Sequence, residues 1–163
     1  MLKSTLSAAF LATATAMCGT LAFAAPTESE SPRFATAPAQ VDPDYAAGKQ
    51  ALEAKDWKAA AAAFGKAVEK APGDANAHNF LAYSHRKSGS LDLAFKHYNE
   101  ALRLDPKHRG AHEYIGEAYL MAGNPAKAEE HLGVLDRLCT FGCEEYSDLK
   151  KAVAEYKQKS AAK

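Results

Sequence analysis

The sequence predicts an all-α fold in which three helical hairpins stack in register and a further helix closes the stack. Three observations predict it. Pro72 and Pro106 stand 34 residues apart. Alanines and large residues keep the same interval, at Ala60, Ala94 and Ala128 and at Phe64, Tyr98 and Leu132. Turn-forming residues punctuate the chain between them, at Asp56, Pro72-Gly73, Ser88-Gly89-Ser90, Asp105-Pro106 and Gly123-Asn124. A period of this length marks a repeat scaffold, whose units bury their apolar faces only against their neighbours.

The repeats do not begin at the first residue. Lys3 is the only charged residue before Glu28, and it precedes a run of small and apolar residues from Leu6 to Ala25. Ala22-Phe23-Ala24 supplies the small residues that signal peptidase reads at the last and third-last positions. Residues 1–24 are therefore expected to be a cleaved signal peptide, and the mature protein to be periplasmic or secreted. The alternative is an uncleaved anchor, because about 20 apolar residues span a bilayer; the many Thr, Ser and Ala residues argue against it, and no stable membrane insertion is expected after cleavage. Met17 stands before Cys18, where a lipobox requires a small residue, so lipidation is not expected. Residues 25–42 carry Pro26, Pro32 and Pro38 among Ser, Thr, Glu and Ala and read as a disordered linker.

The helical domain is expected over residues 43–160. Asp42-Pro43 joins an N-cap acceptor to a proline at the first helical position, so a helix should start there. The first hairpin should run from Pro43 to Lys55, turn at Asp56 and return from Trp57 to Lys70. The second should pair Ala75 to Lys87 with Leu91 to Leu104. The third should run from Arg109 to Ala122 and return from Pro125 to Leu138. A stack leaves its last apolar face bare unless something covers it. Residues 144–160 place Tyr146, Leu149, Val153 and Tyr156 on one side, begin acidic at Glu144 and Glu145 and end basic at Lys157 and Lys159, which is the pattern of a capping helix.

These positions resemble the tetratricopeptide repeat (TPR) family. In the middle unit the matching residues are His78, Leu81, Ala82 and His85, then Ala94, Tyr98, Ala101 and Pro106. The third unit offers His112, Ile115, Gly116 and Tyr119, then Ala128 and Leu132, with Thr140 at the proline position. The first offers Asp44, Ala47, Gly48 and Ala51, then Ala60, Phe64, Ala67 and Pro72. The repeats thus fall at about residues 41–74, 75–108 and 109–142. The resemblance implies a right-handed superhelical stack that binds a protein or peptide. Gly48, Ala82 and Gly116 are expected to let the helices of a hairpin approach closely, and Phe64, Tyr98 and Leu132 to fill the space between hairpins, together with Trp57, Leu91, Leu102, Leu104, Leu135 and Leu138.

In this family ligands lie in the concave groove lined by the first helix of each hairpin. The alignment implies Tyr45, Lys49 and Leu52 from the first unit, Asn79, Tyr83, Arg86 and Lys87 from the second, and Glu113, Glu117, Leu120 and Met121 from the third. That groove passes from basic to acidic and apolar, which suits a peptide or helix of complementary charge with an apolar anchor. The carboxylate-clamp form of the fold would want more Lys and Asn than Tyr83, Glu113 and Glu117 supply. Self-association of stacked arrays is a further option.

Other chemistry finds little support. Lys plus Arg and Asp plus Glu both number 20, so no net field gathers nucleic acid, and no nucleic acid partner is expected. No Gly-rich phosphate loop, G-x-S-x-G turn or H-E-x-x-H run occurs, so neither enzymatic activity nor a cofactor is expected. His78, His85 and His112 fall at packing positions of the repeat and His97 and His131 recur 34 residues apart, so they read as satisfied imidazoles rather than metal ligands. Cys139 and Cys143 are the two cysteines of the mature chain. In an exported protein they are expected to form a disulfide, provided that the helix breaks at Gly142; the alternative is a Cu or Zn site or a thiol-redox pair.

Overall fold

The structure, a computed structural model, describes residues 42–162; the expected signal peptide and all but the last residue of the expected linker lie outside them. The described residues form seven helices: α1 (Pro43–Glu53), α2 (Trp57–Lys70), α3 (Ala75–Lys87), α4 (Leu91–Leu104), α5 (Arg109–Met121), α6 (Pro125–Leu138) and α7 (Glu144–Ala161). Each of the first six packs on its neighbours in sequence, and α7 lies across α5 and α6. No described helix is long and apolar enough to cross a membrane.

Caps set the starts. Asp42 accepts from the backbone N–H groups of Asp44 and Tyr45, Asp56 from that of Ala59 and Asp74 from that of Ala77. Asn124 does the same for α6 through Lys127 N–H. Each satisfies a donor that has no partner inside its own helix. The ends of the first helices are set by a left-handed residue at one repeat position, Lys55 (φ 57°), Gly89 (φ 83°) and Gly123 (φ 75°). That position explains a correction. Lys55 lies outside α1, which ends at Glu53, because its backbone must turn left-handed to start the return helix. For the same reason α5 stops at Met121, one residue short of Ala122. At the other end α7 runs on to Ala161.

The core divides into three clusters along the stack. Ala60, Phe64 and Leu81 form the first, with Tyr45 and Phe80 against them. Tyr98, Ile115, Ala82, Ala94 and Ala118 form the second. Leu135, Leu149, Val153, Ala128 and Leu120 form the third, flanked by Tyr146 and Tyr156. Gly48 allows the close approach within a hairpin that its position implies: a Cβ there would sit 2.7 Å from the Phe64 ring. Gly116 does not. A Cβ there would meet Leu149 of α7 at 2.6 Å, so the glycine makes room for the cap. Leu132, smaller than Phe64 or Tyr98 at the same position, is only partly buried.

The histidines pair across two hairpins in identical fashion. His78 Nε2 meets the carbonyl of Pro72 at 3.2 Å and its Nδ1 meets Nδ1 of His97 at 3.1 Å. His112 repeats this with Pro106 at 3.1 Å and His131 at 2.9 Å. A carbonyl only accepts, so each Nε2 carries the proton and each Nδ1 accepts from the second imidazole. Burial, and the neighbouring histidine, push both His97 and His131 down to about 4.

The helix breaks where Cys139 and Cys143 require it. Cys139 caps α6, Gly142 takes φ 85° and α7 starts at Glu144. The two cysteines form a disulfide with their Cα atoms 5.6 Å apart, and Gly142 N–H donates to the Cys139 carbonyl at 2.8 Å. Phe141, at the tip of this closed loop, is fully exposed.

Candidate functional site

The first helices and α7 line a groove whose floor is aromatic. Tyr83 and Tyr114 pack at 4.9 Å between ring centroids, and Trp57 meets Tyr83 edge-on at 6.1 Å. Over this floor the Arg86 guanidinium lies 5.1 Å from the Tyr83 ring and 5.6 Å from the Tyr114 ring, and its Nη1 is 2.6 Å from Glu117 Oε2. Burial opposes the charge on Arg86, but Tyr98 and Glu117 beside it more than offset that, and its pKa is raised. Arg86 is therefore engaged already. It shapes the groove and is not a free grip for a carboxylate.

Two hollows open beside this pair. One of about 500 Å³ is bounded by Tyr83, Arg86, Lys87, Glu117, Leu120 and Met121, with Ala152 of α7 on its far wall. The other, about 310 Å³, lies between α3, α5 and the start of α7, and Asn79, Glu113, Tyr114 and Asp148 face it. Glu113 belongs to both. Only 8% of Glu113 is exposed, and no hydrogen bond or ion pair engages its carboxylate among the described residues. Burial first, then the charges of Glu117, Asp148 and Glu145, push it up to about 8. Burial also pushes Tyr114 up to about 12.

The structure brings most of the sequence-derived residues together. Asn79, Tyr83, Arg86, Lys87, Glu113, Glu117, Leu120 and Met121 all line the two hollows. Lys49 and Leu52 line a smaller recess of about 250 Å³ that shares Tyr83 and Tyr114 with the first hollow. Tyr45 stands apart. Its ring packs edge-on against Phe64 at 5.4 Å and Phe80 at 6.0 Å, and it borders a separate hollow with Asp42 and Asp74. Tyr45 is partly buried and packs against the first core cluster, where its ring meets Phe64 edge-on.

Two sets of groove residues were missed by reading the sequence. Phe80 and Tyr114 occupy one repeat position, 34 residues apart, and the matching residue in the first unit is Ala46. The recurrence of an aromatic at that position was a usable signal. Asp148, Glu145 and Ala152 come from the capping helix, and no repeat alignment points to a helix outside the repeat.

The cysteine junction offers little as a site in its present form. Ligand atoms of Cys139, Cys143 and Glu145 lie within 4.8 Å of one another, the one such group of three among the described residues. The sulfurs are bonded to each other, however, and Glu145 also lies 3.5 Å from Arg109. A metal would need the bridge reduced.

Two family models, each described as tetratricopeptide repeat, match residues 45–108 and 85–138 and together span the three hairpins. The chain belongs to the tetratricopeptide repeat family. Among curated proteins it is similar to the small glutamine-rich tetratricopeptide repeat-containing protein 2 of Mycosarcoma maydis, at 33% identity over 85 residues. That stretch is 52% of this chain and only 24% of the relative. Among solved structures, the TPR2B domain of yeast Sti1 in complex with pHsp70 is similar, with a TM-score of 0.65 at 23% identity, covering 71% of this chain and 94% of that one. SycD, the Yersinia enterocolitica type III secretion chaperone, in complex with a peptide of the translocator YopD, has a TM-score of 0.61 at 20% identity, covering 69% of this chain and 86% of that one. At these identities the likeness is one of TPR fold.

Proposed function

We propose that the protein is an exported TPR scaffold or assembly factor that holds an extended peptide or a helix of a partner protein in the groove of α1, α3 and α5. The observation that carries this is the groove's construction. An aromatic floor of Tyr83 and Tyr114 lies beside hollows of about 500 and 310 Å³, sizes that accept side chains of a docked segment. The similarly folded TPR2B domain in complex with pHsp70 and the secretion chaperone SycD in complex with a YopD peptide support a peptide as ligand. Export is supported by the run of small and apolar residues ending at Ala24 and by a disulfide in a short chain. The reading gives the protein no chemistry of its own, and neither nucleic acid nor membrane as partner.

Photoreactive residues placed at Tyr83 and Glu117 in the native cell test the groove. A crosslinked partner is expected from both, and none from the exposed Lys66 on α2. Labelling from Lys66 with none from the groove sinks the proposal. Mass spectrometry with and without reductant, on anaerobically purified protein, tests the metal-handling alternative at Cys139 and Cys143. Bound Cu or Zn with free thiols would favour that alternative over a scaffold.

A further inference from the structure

The hollow between α3, α5 and α7 is the least explained part of the groove. Asn79 is only 2% exposed, yet its Oδ1 has no hydrogen-bond partner among the described residues. A buried carbonyl oxygen without a donor loses its hydration and gains nothing in return. The side chain lines the same hollow as Glu113, a residue only 8% exposed whose carboxylate makes no hydrogen bond or ion pair among the described residues. Glu144, Glu145 and Asp148 at the first turns of α7 complete the rim. Asn79 Oδ1 and the four carboxylates on this space, of Glu113, Glu144, Glu145 and Asp148, all accept from a donor or a positive charge. The cationic groups near it are already engaged: Arg109 lies against Glu145 and Arg86 against Glu117.

The geometry points to this hollow as a socket for one cationic nitrogen group of a bound peptide, a Lys or Arg side chain or a free amino terminus. An ammonium or guanidinium carries several N–H donors, enough to satisfy Asn79 Oδ1 and Glu113 together and still reach Asp148. A bare divalent ion fits less well, because no three of these carboxylates bring oxygens within 4.8 Å of one another. A peptide is the source because the socket opens beside Phe80 and Tyr114, an aromatic shelf on which the next residue can lie. The polarity is opposite to that of a site gripping a peptide's terminal carboxylate. The inference rests on the groove reading above and adds the chemistry of the partner to it.

The socket predicts a proton count as well. Glu113, held up to about 8, is mostly protonated at neutral pH in the free protein. Arrival of a cation stabilises the charged form, so binding near pH 7 should release a proton. Glu117 and Tyr114 on α5, Arg86 on α3, Glu144, Glu145 and Asp148 on α7 and His108 before α5 are the other charged or titratable groups around it.

The test is a selection of random peptides displayed against the whole protein, followed by synthesis and titration of the winners. Affinity should depend on one Lys, Arg or free amino terminus. Changing that residue to norleucine or citrulline, or acetylating the terminus, distinguishes the sources and should weaken binding roughly tenfold. Glu113→Gln should weaken it to a similar extent and abolish the proton release seen by calorimetry in buffers of different ionisation heat. Asp148→Asn, at an exposed site, provides a second arm in case Glu113→Gln fails to fold. Peptides that need Tyr83 but no cation, and ignore Glu113→Gln and Asp148→Asn, overturn the socket and leave the groove standing. Peptides indifferent to Tyr83→Ala and Glu113→Gln alike, or a selection that yields none, overturn both.

Discussion

The first and third hairpins use the same repeat glycine in different ways. At Gly48 the space left by the missing side chain is filled by the Phe64 ring of the same hairpin; at Gly116 it is filled by Leu149 of the capping helix. The third hairpin has Leu132 where the first has Phe64, and the smaller residue is only partly buried. A repeat position therefore specifies a hole, and its occupant depends on what stacks nearby. The first hairpin closes itself with aromatics, whereas the third relies on a helix from outside the repeat and on a disulfide that ties that helix down.

The largest expected effect tests the aromatic end. Phe64→Ala should cost about 3 to 5 kcal/mol in denaturant unfolding, a large share of the stability of a domain this size, and Leu149→Ala about 2 to 5 kcal/mol. If Leu149→Ala proves neutral, the cap is not what closes the stack. Next come the glycines themselves. Gly48→Ala and Gly116→Ala should each cost about 1 to 3 kcal/mol through overpacking. The cost at Gly48 should be the larger, because a stiff ring meets the new Cβ there and the ends of a leucine meet it at Gly116. Adding Leu149→Ala to Gly116→Ala should recover part of the loss, a coupling that a double-mutant cycle reads directly.

Reduction of Cys139–Cys143 should cost about 2 kcal/mol at most, since the bridge closes a short loop. Hydrogen exchange should speed up in α7 and remain unchanged in α1 and α2. Uniform acceleration would mean that the two ends are one cooperative unit. Acid should act on the second and third hairpins and spare the first, where Asp44 and Ala63 stand at the positions of the paired histidines. His97 and His131 are depressed from about 6.5 to about 4, so the unfolded chain takes up their protons first. Stability from these pairs is fully present above pH 6.5 and falls as pH drops toward 4. The loss should be about 1 kcal/mol per pair once screening of these half-exposed rings is allowed for. His97→Gln with His131→Gln should flatten the profile of Tm against pH over that window. Smallest of all, Lys55→Gly should add about 1 kcal/mol by relieving a left-handed backbone that Gly89 and Gly123 adopt freely.

Helix order and nearly every boundary were legible because caps, prolines and the 34-residue period are local signals. The largest exception, at Lys55, had no glycine to announce it. Most of the groove was legible too, because a first helix projects the same repeat positions to the same side. Tyr45 stands apart for the converse reason: its position faces the groove in the later units, but at the open end of the stack its ring packs on Phe64 and borders a separate hollow.

By itself, then, the sequence determined the hairpin register, the turn positions and the break at Gly142, all of which depend on residues within a few positions of one another. Tertiary structure alone decided which side chain fills each glycine's hole, which histidines pair and how acidic the end of the groove becomes. The filling of the hole at Gly116 and the acidity of the groove's end depend on α7 folding back across α5. The carboxylates of Glu145 and Asp148 reach Glu113 and Asn79 only through that contact, and no spacing along the chain encodes it.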